Sequence, residues 1–347
     1  MDKLKELTLL AGISGHESRV KKYIEKELKK INVETNNDNL GSIIAVKGES
    51  GPRIMIAGHM DEIGLIVSNI TENGFIKFQT IGGWFSQVMI SKLWDIHTKD
   101  KVITGVSGIK PPHIIPLNER SKAIPIEDLF IDIGVSSKEE ALENGIEIGQ
   151  MITPHSEYIE LTNKDYILSK AFDNRIGCHV VLELLKEANP EKSTLYGTFT
   201  VQEEVGVRGA KTSSYVVNPD ISIAVDTGVG HDTPKGQPEE QQLGKGPQIF
   251  LFDARTIGHP KLRKLLKKIA KDNDIPIQEP YLRRGGTDAG SMHISYKGSP
   301  AVSIGIPTRY IHSHYSIIHK KDVLNTIKLL KCFVEIFDSK LLKELVQ

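Results

Sequence analysis

The hydrophobic period changes along this chain, and that change limits the folds open to it. Helical and short buried-strand patterns alternate toward both ends, while the middle repeats every second residue. Residues 17–30 place Val20, Tyr23, Ile24 and Leu28 on one helical face. Arg53–Ala57 (RIMIA) is an apolar run closed by Gly58, the pattern of a strand covered on both sides. Further along, the pattern predicts a helix over Ala171–Ala188, beginning beside Asp173, and helices near Lys261–Lys271 and Lys321–Phe337. Strands are predicted at Tyr196–Val201, Ile221–Val225, Ile249–Phe252 and Ala301–Ile304. Such alternation calls for an α/β fold, a mixed sheet with helices on both faces.

From about Leu65 to about Glu160 the language is different. Runs such as Phe75–Thr80, Ile96–Thr98 and Val102–Val106 alternate between Gly, Pro and Asn turns, which predicts a small β-barrel or sandwich. One helix is expected there, over Ser136–Gly145, with Ser136 or Ser137 as its cap and Gly145 as its stop. The expected organisation is therefore an α/β domain of residues 1–64 and 161–347, interrupted by a β-rich insertion of residues 65–160. A polar loop, His231–Gly246, follows the strand that ends at Asp226.

Composition narrows the partners. The 347 residues carry 44 Lys+Arg against 44 Asp+Glu, so there is no basic field to gather phosphate, and no nucleic-acid partner is expected. No run of 18 apolar residues occurs, so no membrane partner is expected either. The first 20 residues read as a charged amphipathic helix and a Gly/Ser turn rather than a signal peptide. Two cysteines, Cys178 and Cys332, give no disulfide framework, which points to a reducing, cytoplasmic setting.

Carboxylates and imidazoles cluster where strands end or helices begin: Gly58–Glu62 (GHMDE), Ala171–Arg175 (AFDNR), Gln202–Ala210 (QEEVGVRGA), Asp226–Gly228 (DTG) and Arg309–His314 (RYIHSH). Open α/β sheets place their ligand sites just beyond strand ends. An ionised carboxylate where a buried strand runs out must be paired or ligating, because desolvating it alone is costly. Two histidines and three carboxylates suit borderline divalent ions such as zinc, cobalt or manganese. In a two-ion centre, charges of +4 from the ions, −3 from the carboxylates and −1 from a hydroxide sum to zero.

With Ser14–Glu17 (SGHE) before them and Gly286–Gly290 (GTDAG) among them, these motifs resemble, in order and over nearly the whole chain, a known family. It is the co-catalytic metallo-aminopeptidases that include the tetrahedral, deblocking and certain glutamyl aminopeptidases, some of whose relatives are labelled endoglucanases. The resemblance implies a zinc-peptidase-like α/β/α domain carrying an inserted assembly domain. It also implies two divalent metal ions per subunit, zinc or cobalt first and manganese next. His59 and Asp226 would bind one ion, Glu204 and His312 the other, and Asp173 would bridge them. Asp61 would orient His59 by accepting its second ring N–H, and Glu203 would act as general base toward a metal-bridged water. Peptides with a free N-terminus would be the substrates, their α-amine held at a metal edge. Arg283, Arg284, Gly286, Thr287 and Asp288 lie where the family shapes its substrate pocket, and Gly285 and Gly286 would let backbone approach a ligand closely. The arginines suit either an acidic side chain or a surface role. Homo-oligomers, commonly dodecamers built from dimers, are implied as well.

This chain departs from the family pattern near its end. His312 follows Arg309-Tyr310 directly and is taken as the ligand, while His314 stands where relatives often have proline and Ser316 where many have glutamate. Cys178 and His179 read as core packing, His155 and Glu157 as linker chemistry, and Trp84 and Trp94 as packing or interface residues. Carboxypeptidases and N-acyl amino acid deacylases share the dinuclear scaffold, but they more often carry their insertion after the bridging aspartate; here it comes before Asp173. A glycoside hydrolase would place two carboxylates about a sugar, without histidines in ligand positions. A noncatalytic assembly protein would be expected to lose Glu203 or a ligand, and all are retained.

Overall fold

The structure, a computed structural model, describes residues 1–118, 120–237 and 241–346. Residues 238–240 of the polar loop lie outside the described residues. Four parallel strands form the middle of a large mixed sheet, in the order Thr194–Thr200, Arg53–His59, Ile221–Val229, Ala301–Arg309. All four are nearly continuous in buried residues, as strands covered on both faces must be. Along Arg53–His59 the alternation of side chains divides the interior. Ile54 and Ile56 enter the main core under the helices Phe172–Glu187 and Lys320–Ile336, while Met55 and Ala57 pack on the opposite face with Ala210, Val217 and Met292. The first helix lies close to the sheet because Gly58 and Gly177 meet there; a Cβ on Gly58 would stand 2.5 Å from the carbonyl carbon of Gly177.

Antiparallel strands flank this centre. Glu34–Asn37 and Ile43–Lys47 extend one side, and Ser316–His319, Tyr166–Ser169 and Ile159–Glu160 extend the other. The insertion is a closed barrel of Gly64–Ile70, Ile76–Ile81, Phe130–Asp132, Val102–Gly108, Leu93–His97 and Met151–Pro154. Closure removes free edges and turns one set of alternating residues inward, among them Leu65, Ile76, Trp94, Ile96, Ile131 and Ile152. The expected helix runs over Lys138–Glu143, with the Ser137 hydroxyl accepting from the Glu140 N–H at 3.2 Å and Gly145 at φ +87°.

Two expectations need correction. The barrel ends at Pro154, and Ile159–Glu160, expected in the insertion, instead pairs with Tyr166–Ser169 in the large sheet. The strand predicted at Ile249–Phe252 shrinks to Gln248–Ile249. Its continuation is drawn off the sheet by the turn at Asp253, whose carboxylate accepts from the backbone N–H groups of Arg255 and Thr256 at 2.8 Å each.

Candidate metal centre

The C-terminal ends of the four parallel strands converge. His59 ends its strand opposite Thr200 in register, and Asp226 sits within the next strand over. Glu203 and Glu204 follow Thr194–Thr200, and His312 follows Ala301–Arg309. Asp173 comes from the start of the helix Phe172–Glu187, where it and Asn174 leave helical geometry; the peptide bond between them is cis.

Two groups of ligand-type atoms result, each with its atoms within 4.8 Å of one another: His59, Asp173 and Asp226, and then Asp173, Glu204 and His312. Asp173 belongs to both. Its Oδ1 lies 3.2 Å from His59 Nε2 and its Oδ2 lies 3.5 Å from His312 Nε2. Asp226 Oδ1 is 4.0 Å from His59 Nε2, and Glu204 Oε2 is 3.7 Å from His312 Nε2. All five residues therefore face one small volume.

The outer contacts of the two histidines differ. Nδ1 of His59 lies 3.0 Å from the backbone carbonyl of Asp61 and 3.5 Å from its carboxylate, so the stronger hydrogen bond goes to the main chain. The Asp61 carboxylate is occupied elsewhere. It accepts from the Glu203 N–H at 3.0 Å, from the Glu204 N–H at 3.1 Å and from the Ser14 hydroxyl at 2.6 Å. Asp61 thus pins the turn that carries both glutamates, a task that sequence reasoning did not assign to it. For His312 the acceptor is the carbonyl of Gly83, a residue of the inserted segment, at 2.8 Å.

Electrostatics in the cluster favour a cation. Burial, then repulsion by Asp173, pushes the Glu204 carboxyl up to about 7. Burial raises Glu203 and Asp226 well above the carboxylate range, with neighbouring carboxylates adding to it, and lifts Asp288 to about 6. The histidines shift in the opposite sense to ordinary buried imidazoles. Burial pulls His312 down, but Asp173 and Glu204 outweigh it and carry it up to about 10; His59 also rises, against its burial, beside Asp173 and Asp61. Asp173 is held well below the usual range because the two imidazoles outweigh its burial. Buried anions that must recruit protons and imidazolium partners suit divalent cations. Glu204 Oε1, buried and without a hydrogen-bond partner among the described residues, is a free ligand atom of the required kind.

The cluster opens into a cavity of about 440 Å³ whose walls include Gly83, Val229, Phe250, Leu282 and Ile311. Glu203, Gly286 and Thr287 line it. Arg283 and Asp288, expected to shape the pocket, do not line it. Arg283 lies over the Tyr281 ring at 5.6 Å. Asp288 is buried beneath the cluster, where it accepts from the Thr200 hydroxyl. Two guanidinium groups do reach the wall, Arg284 and Arg255. Sequence reasoning missed Arg255, which comes from a distant loop and lies so close to Gly286 that a Cβ there would stand 2.7 Å from its Cδ. It also missed Glu62, the last residue of GHMDE, which is buried against Lys170 Nζ at 2.7 Å and Arg175 Nη2 at 3.4 Å. That residue's place beside His59 and Asp61 was the available signal.

Among the described residues no helix is long and apolar enough to cross a membrane. The family model described as M42 glutamyl aminopeptidase matches residues 41–329. The chain is 36% identical over 340 residues to the Lactococcus lactis subsp. cremoris protein named glutamyl aminopeptidase, covering 96% of this chain and 95% of that one. Among solved structures, the TET aminopeptidase of a marine sediment archaeon, Thaumarchaeota archaeon SCGC AB-539-E09, superposes with a TM-score of 0.96 at 38% identity over 99% of this chain and 98% of that one. The TET1 peptidase of Pyrococcus horikoshii, described as able to assemble into a tetrahedron or a large octahedral shell, gives a TM-score of 0.87 at 32% identity over 97% of this chain and 99% of that one. The chain belongs to the M42 family of peptidases.

Proposed function

We propose that this protein is a metal-dependent aminopeptidase whose centre holds two divalent ions shared through Asp173. The observation that carries this reading is the placing of Asp173 between two histidine–carboxylate groups at the mouth of a cavity. On this reading His59 and Asp226 hold one ion, Glu204 and His312 the other, with zinc or cobalt the expected metal. Divalent ions there supply a Lewis acid for the scissile carbonyl and lower the pKa of a bound water. Glu203, on the cavity wall with Oε2 3.8 Å from His59 Nε2, takes a proton from the attacking water and returns it to the leaving amine. Asp61 holds Glu203 and Glu204 in their separate directions through their backbone N–H groups. Gly286 and Thr287, with Arg284 and Arg255, form the wall that the substrate's first side chain meets.

Assembly into a homo-oligomer, a dodecamer built from dimers, is part of the proposal and is supported by a similar solved structure, PhTET1-12s, described as a dodecamer. Native mass spectrometry measures it directly. Both cysteines are free thiols, which supports a cytoplasmic site of action. The decisive experiment compares hydrolysis of free-N-terminal and N-acetylated peptides before and after chelation and metal return. Activity confined to free N-termini and restored by zinc, cobalt or manganese is the expected result. Turnover that survives both acetylation and chelation overturns the proposal.

A further inference from the structure

We propose that the inserted barrel completes the metal centre, because it supplies, through Gly83 and a Trp84–Trp94–His314 clamp, the contacts that position His312. The inference rests on the two-ion reading given above. His59 needs no help from the barrel: it ends a central strand, its side chain is 2% exposed, and its Nδ1 bonds within its own segment. His312 lies in a loop beyond the sheet, with backbone φ of +58° and a side chain 38% exposed. Its ring is therefore held less by burial than that of His59.

The barrel provides what the loop lacks. The Gly83 carbonyl can only accept, so His312 Nδ1 carries the hydrogen that donates to it, and Nε2, facing Asp173 and Glu204, is the atom that a metal ion would take in place of a proton. A side chain at that point would crowd the ring, since a Cβ on residue 83 would stand 3.1 Å from His312 Nδ1. The next residue fixes the turn, with the Trp84 indole N–H donating to the Gly64 carbonyl at 3.0 Å. From the other side His314, two residues after the ligand, enters the barrel's surface. Its Nε2–H donates to the Leu93 carbonyl at 3.0 Å, and its ring lies 4.3 Å from Trp94 and 5.8 Å from Trp84. His314 is 1% exposed, so its ring is held by these contacts. Ligand and carbonyl are thus held together by a clamp that spans the two parts of the molecule, so loosening the clamp weakens the ion on Glu204 and His312 and spares the ion on His59 and Asp226.

Competitive zinc titration of the full-length protein against a chromogenic chelator tests this, with metal counted by mass spectrometry. In Gly83→Ala, where the methyl crowds the imidazole, and in His314→Ala, where the clamp opens, one of two ions is expected to weaken roughly ten- to hundredfold while the other keeps its affinity. Ile131→Ala, a cavity in the barrel core at a residue that is not part of the clamp, serves as the control: it lowers the melting temperature and leaves both affinities in place. Two ions retained with unchanged affinity in both clamp variants overturn the proposal, as does an equal weakening of both ions. A wild-type protein that binds fewer than two ions defeats instead the reading on which the proposal rests.

Discussion

The large sheet and the barrel bury similar side chains but end differently. Strands in the sheet stop at an open rim, where four parallel C-terminal ends bring His59, Glu203, Asp226 and His312 to one place. Strands in the barrel pair all the way round and spend their inward residues on an apolar filling of Trp94, Ile96, Ile131 and their neighbours. An open rim leaves backbone and side chains free for chemistry, whereas closure leaves none. On the proposal above, the barrel contributes one carbonyl and an aromatic clamp in which Trp94, itself part of that filling, meets His314. On that proposal, an insertion that contributes none of the five candidate ligands still bears on the chemistry next to it.

The sharpest way to break this division is to remove the shared anion. Asp173→Ala should release metal and abolish turnover, because both groups of ligands lose their common member; two ions per chain in that variant would contradict the assignment. Next in size, Glu203→Gln should lower kcat by a factor on the order of 10²–10⁴ with metal content nearly intact, since it removes proton transfer and no ligand. Loss of metal together with activity would place Glu203 among the ligands instead. In the barrel, Ile131→Ala should cost about 2–5 kcal/mol, read as a lower melting temperature, while turnover per folded molecule stays at the wild-type level. A fall in turnover per folded molecule would show that the barrel core reaches the site by more than its surface.

The smallest expected effect concerns the seam between the two parts. His97 of the barrel has Nδ1 3.0 Å from Arg19 Nη1, which must donate to it, and Nε2 2.9 Å from the Thr153 hydroxyl. Burial, then the Arg19 charge, pulls its pKa from 6.5 down to about 4. A histidine held neutral in the fold protonates more readily once unfolded. Its contribution to stability is therefore present above about 6.5 and lost as pH falls toward 4. His97→Gln keeps a hydrogen-bonding side chain without the titration, so its melting temperature should fall less steeply between those values. An unchanged slope would remove His97 from the acid response.

Much of the fold was legible because burial leaves a period. The parallel strands at Arg53, Tyr196, Ile221 and Ala301 announced themselves as apolar runs, and the barrel as alternation. Several of the flanking antiparallel strands were not legible. Glu34–Asn37 is exposed along its whole length and has no hydrophobic signal, and Tyr166–Ser169 and Ser316–His319 are too short to show a period. The clusters that contain the five candidate ligands could be picked out because carboxylates and histidines at the ends of buried strands are costly without partners, and the family resemblance chose among their residues. The pocket wall could not be picked out in the same way. Arg283 and Arg284 are adjacent and alike in sequence, yet one turns to Tyr281 and the other to the cavity, while Arg255 arrives from another loop.

By itself, the sequence determined which residue types stand at the strand ends, because apolar runs and costly buried charges are local facts. Only the tertiary structure decided which atoms meet: that Asp61 spends its carboxylate on the glutamate turn and that a barrel carbonyl faces His312. Main-chain acceptors are present at every residue, so no sequence pattern distinguishes the one that a folded chain brings within 2.8 Å of a ring nitrogen.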